Sequence, residues 1–215
     1  MRTQRGERLC CAFIFADLEI HFAEYPAVGV FERILGDEFR VEGVDGLDLE
    51  MPAEGTASYK ENADQKATFV AERTGRLTLG DDSGIEVFAL DGRPGIVSAR
   101  FAGEPVSDRR NIERLLSELD GDGSGDRSAR FVCLLALAGS NGLIASAEGI
   151  CSGAIGFQPA GTNGFGYDPI FVFADGRTMA ELTDEEKDAR SHRGNAIRSM
   201  LPALRRAVVD GDDNA

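Results

Sequence analysis

Between Ser58 and Gly75 the chain spells out a helix with both ends marked, and an apolar, strand-like run begins two residues later. That adjacency commits the fold to helices packed on a sheet. Ser58 followed by Glu61 is a capping box, and Gly75 is a C-terminal stop. Leu77–Gly80 is expected as a short strand that ends in the tight turn Asp81–Asp82–Ser83–Gly84. Ile85–Leu90 is expected as the next strand, with Asp91–Gly92 as a turn. Elsewhere residues 11–23 read as strand-like and 28–36 as a short helix ending at Gly36. Ser107 opens a helix carrying Ile112, Leu115, Leu116 and Leu119, with Gly121 past its end. Arg130–Gly139 and Leu143–Gly149 flank Asn141–Gly142, a hairpin signal. Thr183 and Glu186 form a second capping box. From about Ser191 an amphipathic helix carries Ile197, Met200, Leu201, Leu204 and Val208, interrupted by Pro202. The pattern is mixed α/β without an internal repeat.

Composition narrows the partners. A net charge of −14 disfavours nucleic acid and anionic membranes, which need a basic face. An anionic substrate then requires a locally basic or metal-loaded site, and lysine is scarce: Lys60, Lys66 and Lys187 are the three. The cysteines (Cys10, Cys11, Cys133 and Cys151) include no CxxC and none lies near a histidine, which argues against zinc and for a reducing, cytoplasmic setting. Arg2, Arg5 and Arg8 before Leu9–Ala16 imitate a signal peptide, but Asp17 and Glu19 follow at once and no cleavage site is evident. No run approaches the roughly 20 apolar residues of a membrane span. Residues 1–17 are expected to be an N-terminal extension, 18–209 one domain, and 210–215 a frayed acidic tail.

Three segments carry candidate chemistry. In Gly80–Gly84, adjacent Asp81 and Asp82 can hold a hard divalent cation, while Ser83 and nearby amides can meet phosphate oxygens. Taken alone, the same residues read as an Asx turn at a strand end. In Gly161–Pro169, the glycines allow close backbone approach, Phe165 offers a ring face for a base, and Asp168 can orient a neighbour or accept a hydrogen bond. A Gly-rich connection with its aromatics in the core accounts for that segment equally well. In Glu186–Arg193, Lys187, His192 and Arg193 gather donors that suit the keto oxygens of hypoxanthine or xanthine; a wrong base would leave buried donors unpaired. Alone, this segment reads as a charged helix cap facing water.

Together these segments resemble the inosine/xanthosine triphosphate pyrophosphatase (Ham1-like) family. GDDSG at Gly80–Gly84, Pro94–Phe101, FGYDP at Phe165–Pro169, and Glu186–Lys187 with Ser191–His192–Arg193 occur in the family's order and approximate spacing. Glu61–Asn62–Ala63 with Lys66–Ala67 resembles its ENAxxKA helix. The likeness covers about residues 54–205. It implies a homodimeric α/β fold, with a long mixed central β-sheet flanked by helices and two lobes around an active-site cleft. It implies Mg2+-dependent release of pyrophosphate from ITP, dITP and XTP. By resemblance, Asp82 binds the metal and acts as base, Asp81 assists, and Glu54, or else Glu50, completes the metal set. Ser83, Lys66, Phe165, Gly166, Tyr167, Asp168, Lys187, His192 and Arg193 would contact the purine nucleotide.

One stretch departs from the family. Its N-terminal T-x-N-x-x-K phosphate loop is matched here by Phe22–Val30, which has neither that Asn nor that Lys and places Glu24 where phosphates are expected. Lys60, Arg73 or Arg100 could replace the lysine, the substrate could carry a different phosphate group, or the scaffold could bind nucleotide without turnover. The surviving carboxylates and basic cluster favour the active enzyme.

Overall fold

The computed structural model describes residues 11–15, 26–44 and 47–212. The segment Phe22–Tyr25, most of the extension 1–17 and the end of the acidic tail therefore lie outside the described residues. The strands are β1 (Cys11–Phe15), β2 (Arg40–Gly43), β3 (Thr78–Val87), β4 (Pro94–Gly95), β5 (Ser128–Gly139), β6 (Gly142–Ile155) and β7 (Phe171–Val172). The helices are α1 (Pro26–Leu35), α2 (Tyr59–Thr74), α3 (Asp108–Asp122), α4 (Asp184–Arg190) and α5 (His192–Asp212). The strands form one sheet in the order β2-β1-β3-β5-β6-β7, with β4 also on β3. Strand β1 runs antiparallel to both β2 and β3, as do β3 to β4 and β6 to β7.

Local chemistry explains most element ends. Ser58 Oγ accepts from Glu61 N at 3.1 Å, and Gly75 closes α2 in the left-handed conformation that glycine tolerates. The box before α4 is reciprocal: Thr183 N donates to Glu186 Oε2 at 3.0 Å and Glu186 N to Thr183 Oγ1 at 3.3 Å. Helix α3 runs through Gly121 and stops at Gly123 instead, because only Gly123 adopts a positive φ. Helix α5 passes through Pro202 and continues to Asp212, so the acidic tail is helical at least that far.

The largest correction concerns Gly80–Gly84. No turn interrupts Thr78–Val87: Gly80–Gly84 lies within the continuous ten-residue strand β3, and the strand expected over Ile85–Leu90 ends at Val87, where Phe88–Leu90 winds into a 3-10 helix. The sheet neighbours of β3, β1 and β5, supply the pairing that polar side chains alone do not reveal.

The chain divides into two compact units. The first, over its described parts, is Ser83–Val132 with Cys151–Lys187; its core includes Ile85, Leu115, Phe131, Ile155, Ile170, Phe171 and Met179. The second, likewise over its described parts, is Cys10–Asp82, Cys133–Ile150 and Asp188–Ala215. There, Leu79, Cys133, Leu135 and Leu137 pack with Phe31 and Leu35 of α1 and Ile197, Met200 and Leu204 of α5. The alternate residues of β5, Ala136 and Ala138, pack instead with Ala63, Ala67 and Ala71 of α2. Period-two alternation thus places α2 on one face and α1 and α5 on the other. The all-alanine contact brings α2 very close to the sheet. A Cβ on Gly80 would lie 2.3 Å from Ala63 O and 2.8 Å from Ala67 N. Gly80→Ala is expected to cost about 1–3 kcal/mol through overpacking against backbone, a loss that urea denaturation would measure.

Candidate active site

Because β3 is extended, Gly80 and Asp82 face α2 while Leu79 and Asp81 face α5. The two aspartates therefore do not share a ligand-binding face, contrary to the turn expected for them.

On the α2 face, Asn62 and Lys66 stand one helical turn apart and point the same way. Lys66 Nζ donates to Asp82 Oδ1 at 2.9 Å and to Glu54 Oε1 at 2.9 Å. Asn62 Nδ2 donates to Asp82 Oδ2 at 3.1 Å. The same amide pairs with the loop before α2: Gly55 N donates to Asn62 Oδ1 at 2.9 Å, and Asn62 Nδ2 donates to Gly55 O at 3.2 Å. Asn62 thereby holds Glu54 beside Lys66. Lys66 is 3% exposed and Asp82 7%, so each charge depends on the other for compensation. Burial raises the Asp82 carboxyl to about 6; Lys66 pulls it down, Glu54 pushes it up and Asn62 lowers it.

The ammonium shows where a cation is stabilised, midway between the Glu54 and Asp82 oxygens. A hard ion such as Mg2+ commonly takes one or two carboxylates and completes its shell with water and phosphate. Glu54 and Asp82 fit that requirement. Among the described residues no group of three or more His, Cys, Asp or Glu side chains gathers as a metal site. Asp81, expected in the metal set, is directed elsewhere, and Glu50 is exposed.

On the α5 face, Asp81 Oδ2 accepts from Arg193 Nε at 2.7 Å and Oδ1 from Cys133 Sγ at 3.6 Å. Arg193 Nη1 lies 3.1 Å from His192 Nε2; a guanidinium only donates, so Nε2 is the acceptor. The α4–α5 corner that presents this pair is held from several sides. Arg33 forks onto the Asp188 carboxylate at 2.6 and 2.9 Å. Arg198 Nη1 donates to Asp188 O at 2.6 Å, and Gly194 N to Ser191 Oγ at 3.1 Å. Gly149 of β6 lets the first turn of α5 approach: a Cβ there would lie 2.1 Å from His192 O.

In the other unit, Asp168 orders the aromatic loop. Its Oδ2 accepts from Phe165 N at 3.2 Å and from Lys187 Nζ at 2.7 Å. Gly166 N donates to Asp108 Oδ2 at 2.8 Å. Tyr167 is buried, its hydroxyl donates to Ser98 O at 2.8 Å, and burial pushes its ionisation well above the usual range. Phe165 and Ser83 are half-buried. A Cβ on Gly164 would lie 2.0 Å from Asp168 Oδ2 and 2.2 Å from Lys187 Nζ, so that glycine makes room for the ion pair. Lys187 is thus committed to Asp168, whereas Arg193 is committed to Asp81 and the neighbouring His192.

Of the replacements considered for the missing lysine, Lys60 pairs with Asp64 at 2.5 Å and Arg73 stacks 3.5 Å from the Phe69 ring centroid. Asn62 lies in the Glu61–Asn62–Ala63 motif, but the motif gives it no role at the site; its bond to Asp82 does. Its signal was an amide one turn before Lys66 on an otherwise alanine-lined face.

The sequence profile of the Ham1 family matches residues 22–203. This chain belongs to the Ham1 family. Among its relatives, the dITP/XTP pyrophosphatase of Halalkalibacterium halodurans is 48% identical over 176 residues, covering 80% of this chain and 91% of the relative. That of Staphylococcus aureus is 41% identical over 199 residues, covering 92% of each chain. A Ham1 protein structure from Coxiella burnetii superposes with a TM-score of 0.76 at 34% identity, covering 86% of this chain and 96% of that one.

In the metal-free Ham1 chain the Asp82 carboxyl should titrate near 6, against an ordinary 3.8. An acid held above its unfolded value stabilises the fold below that value, and the contribution is lost as pH rises through about 6. Carbon NMR of the carboxyl should show this midpoint, and Lys66→Met should move it upward by removing the cation that holds it down.

Proposed function

We propose that this chain hydrolyses the keto-purine nucleoside triphosphates ITP, dITP and XTP to the monophosphate and pyrophosphate. The carrying observation is the buried Asp82 carboxylate, held by Lys66 and Asn62 with Glu54 on the same ammonium. It occurs in a chain 41–48% identical to dITP/XTP pyrophosphatases.

The chemistry follows from that environment. A carboxylate near 6 is largely ionised at neutral pH yet more basic than an exposed aspartate, which suits it to take a proton from water. Asn62 and Lys66 fix its orientation, so the lone pair offered to water is set before substrate arrives. Glu54 and Asp82 would hold a divalent cation, which we take to be Mg2+. That ion, when bound, would neutralise charge on the phosphate chain and polarise the phosphorus–oxygen bonds. Lys66 would donate to phosphate oxygens, with Ser83 as a further contact. His192 and Arg193 would read the keto groups of the base, as would Lys187. Phe165, Gly166, Tyr167 and Asp168 would contact substrate through ring face and backbone.

The carboxylates, ammonium and amide gathered around Asp82 support the catalytic reading over binding without turnover. A homodimer is the assembly that the family resemblance implies. A cytoplasmic location fits Cys133 and Cys151 being buried and outside any disulfide. No described helix is long and apolar enough to cross a membrane.

Incubation with ITP and Mg2+ should yield IMP and pyrophosphate in equal amounts, with ATP a much poorer substrate. Asp82→Asn should lower kcat by roughly 10²–10⁴-fold, the range for loss of a general base. Turnover that survives this substitution would remove Asp82 from the mechanism.

A further inference from the structure

The adjacent aspartates of GDDSG invite a common task, yet their surroundings differ completely. Asp82 meets an ammonium and an amide on the α2 face. Asp81 meets Arg193 and Cys133 on the α5 face. The Asp81 side chain is 1% exposed and that of Arg193 12%. A carboxylate buried that deeply stays ionised only beside a compensating cation, and here the cation is a guanidinium gripped at Nε.

The point of attachment matters. A guanidinium is planar, so fixing Nε fixes both the plane and the direction in which the terminal nitrogens face. One of those nitrogens, Nη1, lies 3.1 Å from His192 Nε2. The carboxylate, the guanidinium and the imidazole therefore form one connected chain of donors and acceptors. Asp81 sits at its buried end, and at the other end is the pair assigned above to the base.

We infer that Asp81 is a positioning residue for base selectivity, acting through Arg193, and that it takes no part in holding the metal. On this account one dipeptide serves two ends of the nucleotide: Asp82 works on the phosphates and Asp81 aims the donor that distinguishes a keto from an amino purine. The division follows from the pleat of β3, which sends consecutive side chains to opposite faces. The inference rests on the assignment of Arg193 to the base.

The test compares Asp81→Asn, Arg193→Ala, Arg193→Lys and the double variant Asp81→Asn/Arg193→Ala in the full chain, with folding checked by circular dichroism. For each, kcat/KM is measured for ITP and for ATP, together with the Mg2+ concentration for half-maximal ITP hydrolysis. Asp81→Asn should reduce the ITP-over-ATP preference by about tenfold or more, mainly through KM for ITP, since misaligned donors leave the keto oxygen poorly paired. Its Mg2+ requirement should stay at the wild-type value, and the double variant should be no less selective than Arg193→Ala alone. A raised Mg2+ requirement with selectivity intact would make Asp81 a metal ligand and overturn the proposal. Equal losses on ITP and ATP would reduce it to a structural role and overturn it too. If Asp81→Asn fails to fold, Arg193→Lys carries the test: it keeps the charge but not the fork, so selectivity should fall, and undiminished selectivity refutes the inference. Should Arg193→Ala leave selectivity unchanged while Asp82→Asn still abolishes turnover, the assignment of Arg193 falls, and this inference with it, while the hydrolase reading stands.

Discussion

An ammonium enclosed between two carboxylates organises this protein. Lys66 is almost wholly buried, and a buried cation without partners is too costly to persist. Asp82 from the sheet and Glu54 from the loop before α2 meet it, each at 2.9 Å. For the three groups to converge, α2 must lie close against β3 and β5. The alanines at 63, 67 and 71 and the missing side chain at Gly80 make that approach possible. Packing and chemistry are thus one requirement, since any bulk that lifted the helix would also separate the charges.

The same arrangement sets the acid–base character of Asp82. Burial favours its neutral form and Lys66 opposes that, leaving the group near 6. A carboxylate so balanced can serve either as a cation ligand or as a base in neutral solution. On the opposite face, Arg33, Arg198 and Ser191 hold the α4–α5 corner through Asp188 and the backbone, so that Arg193 reaches Asp81 from a rigid support.

Much of this was legible in the chain. The ends of α2 followed from Ser58 and Gly75, and the hairpin of β5 and β6 from Asn141–Gly142, because capping and turn chemistry act over three or four residues. Lys66 and Asp82 were identifiable by motif, while Glu54 stood only as a candidate beside Glu50; the structure brings Glu54, Lys66 and Asp82 together. What misled was Gly80–Gly84. Glycines and aspartates are turn formers by propensity, yet here they occupy the interior of a strand. The pairing of β3 with both neighbours outweighs that preference, and no local signal reports it.

Residue order alone determined the α/β class, the family and the identities of the acidic and basic groups, since these depend on short-range periodicity and on ordered motifs. Tertiary structure alone decided that Asp81 and Asp82 face opposite sides, that Asn62 binds one of them, and that Lys187 answers to Asp168. The reason is physical. A carboxylate's partner is set by which helix covers its face of the sheet, and that follows from packing between residues as far apart as Asp81 and Arg193, beyond the reach of any local pattern.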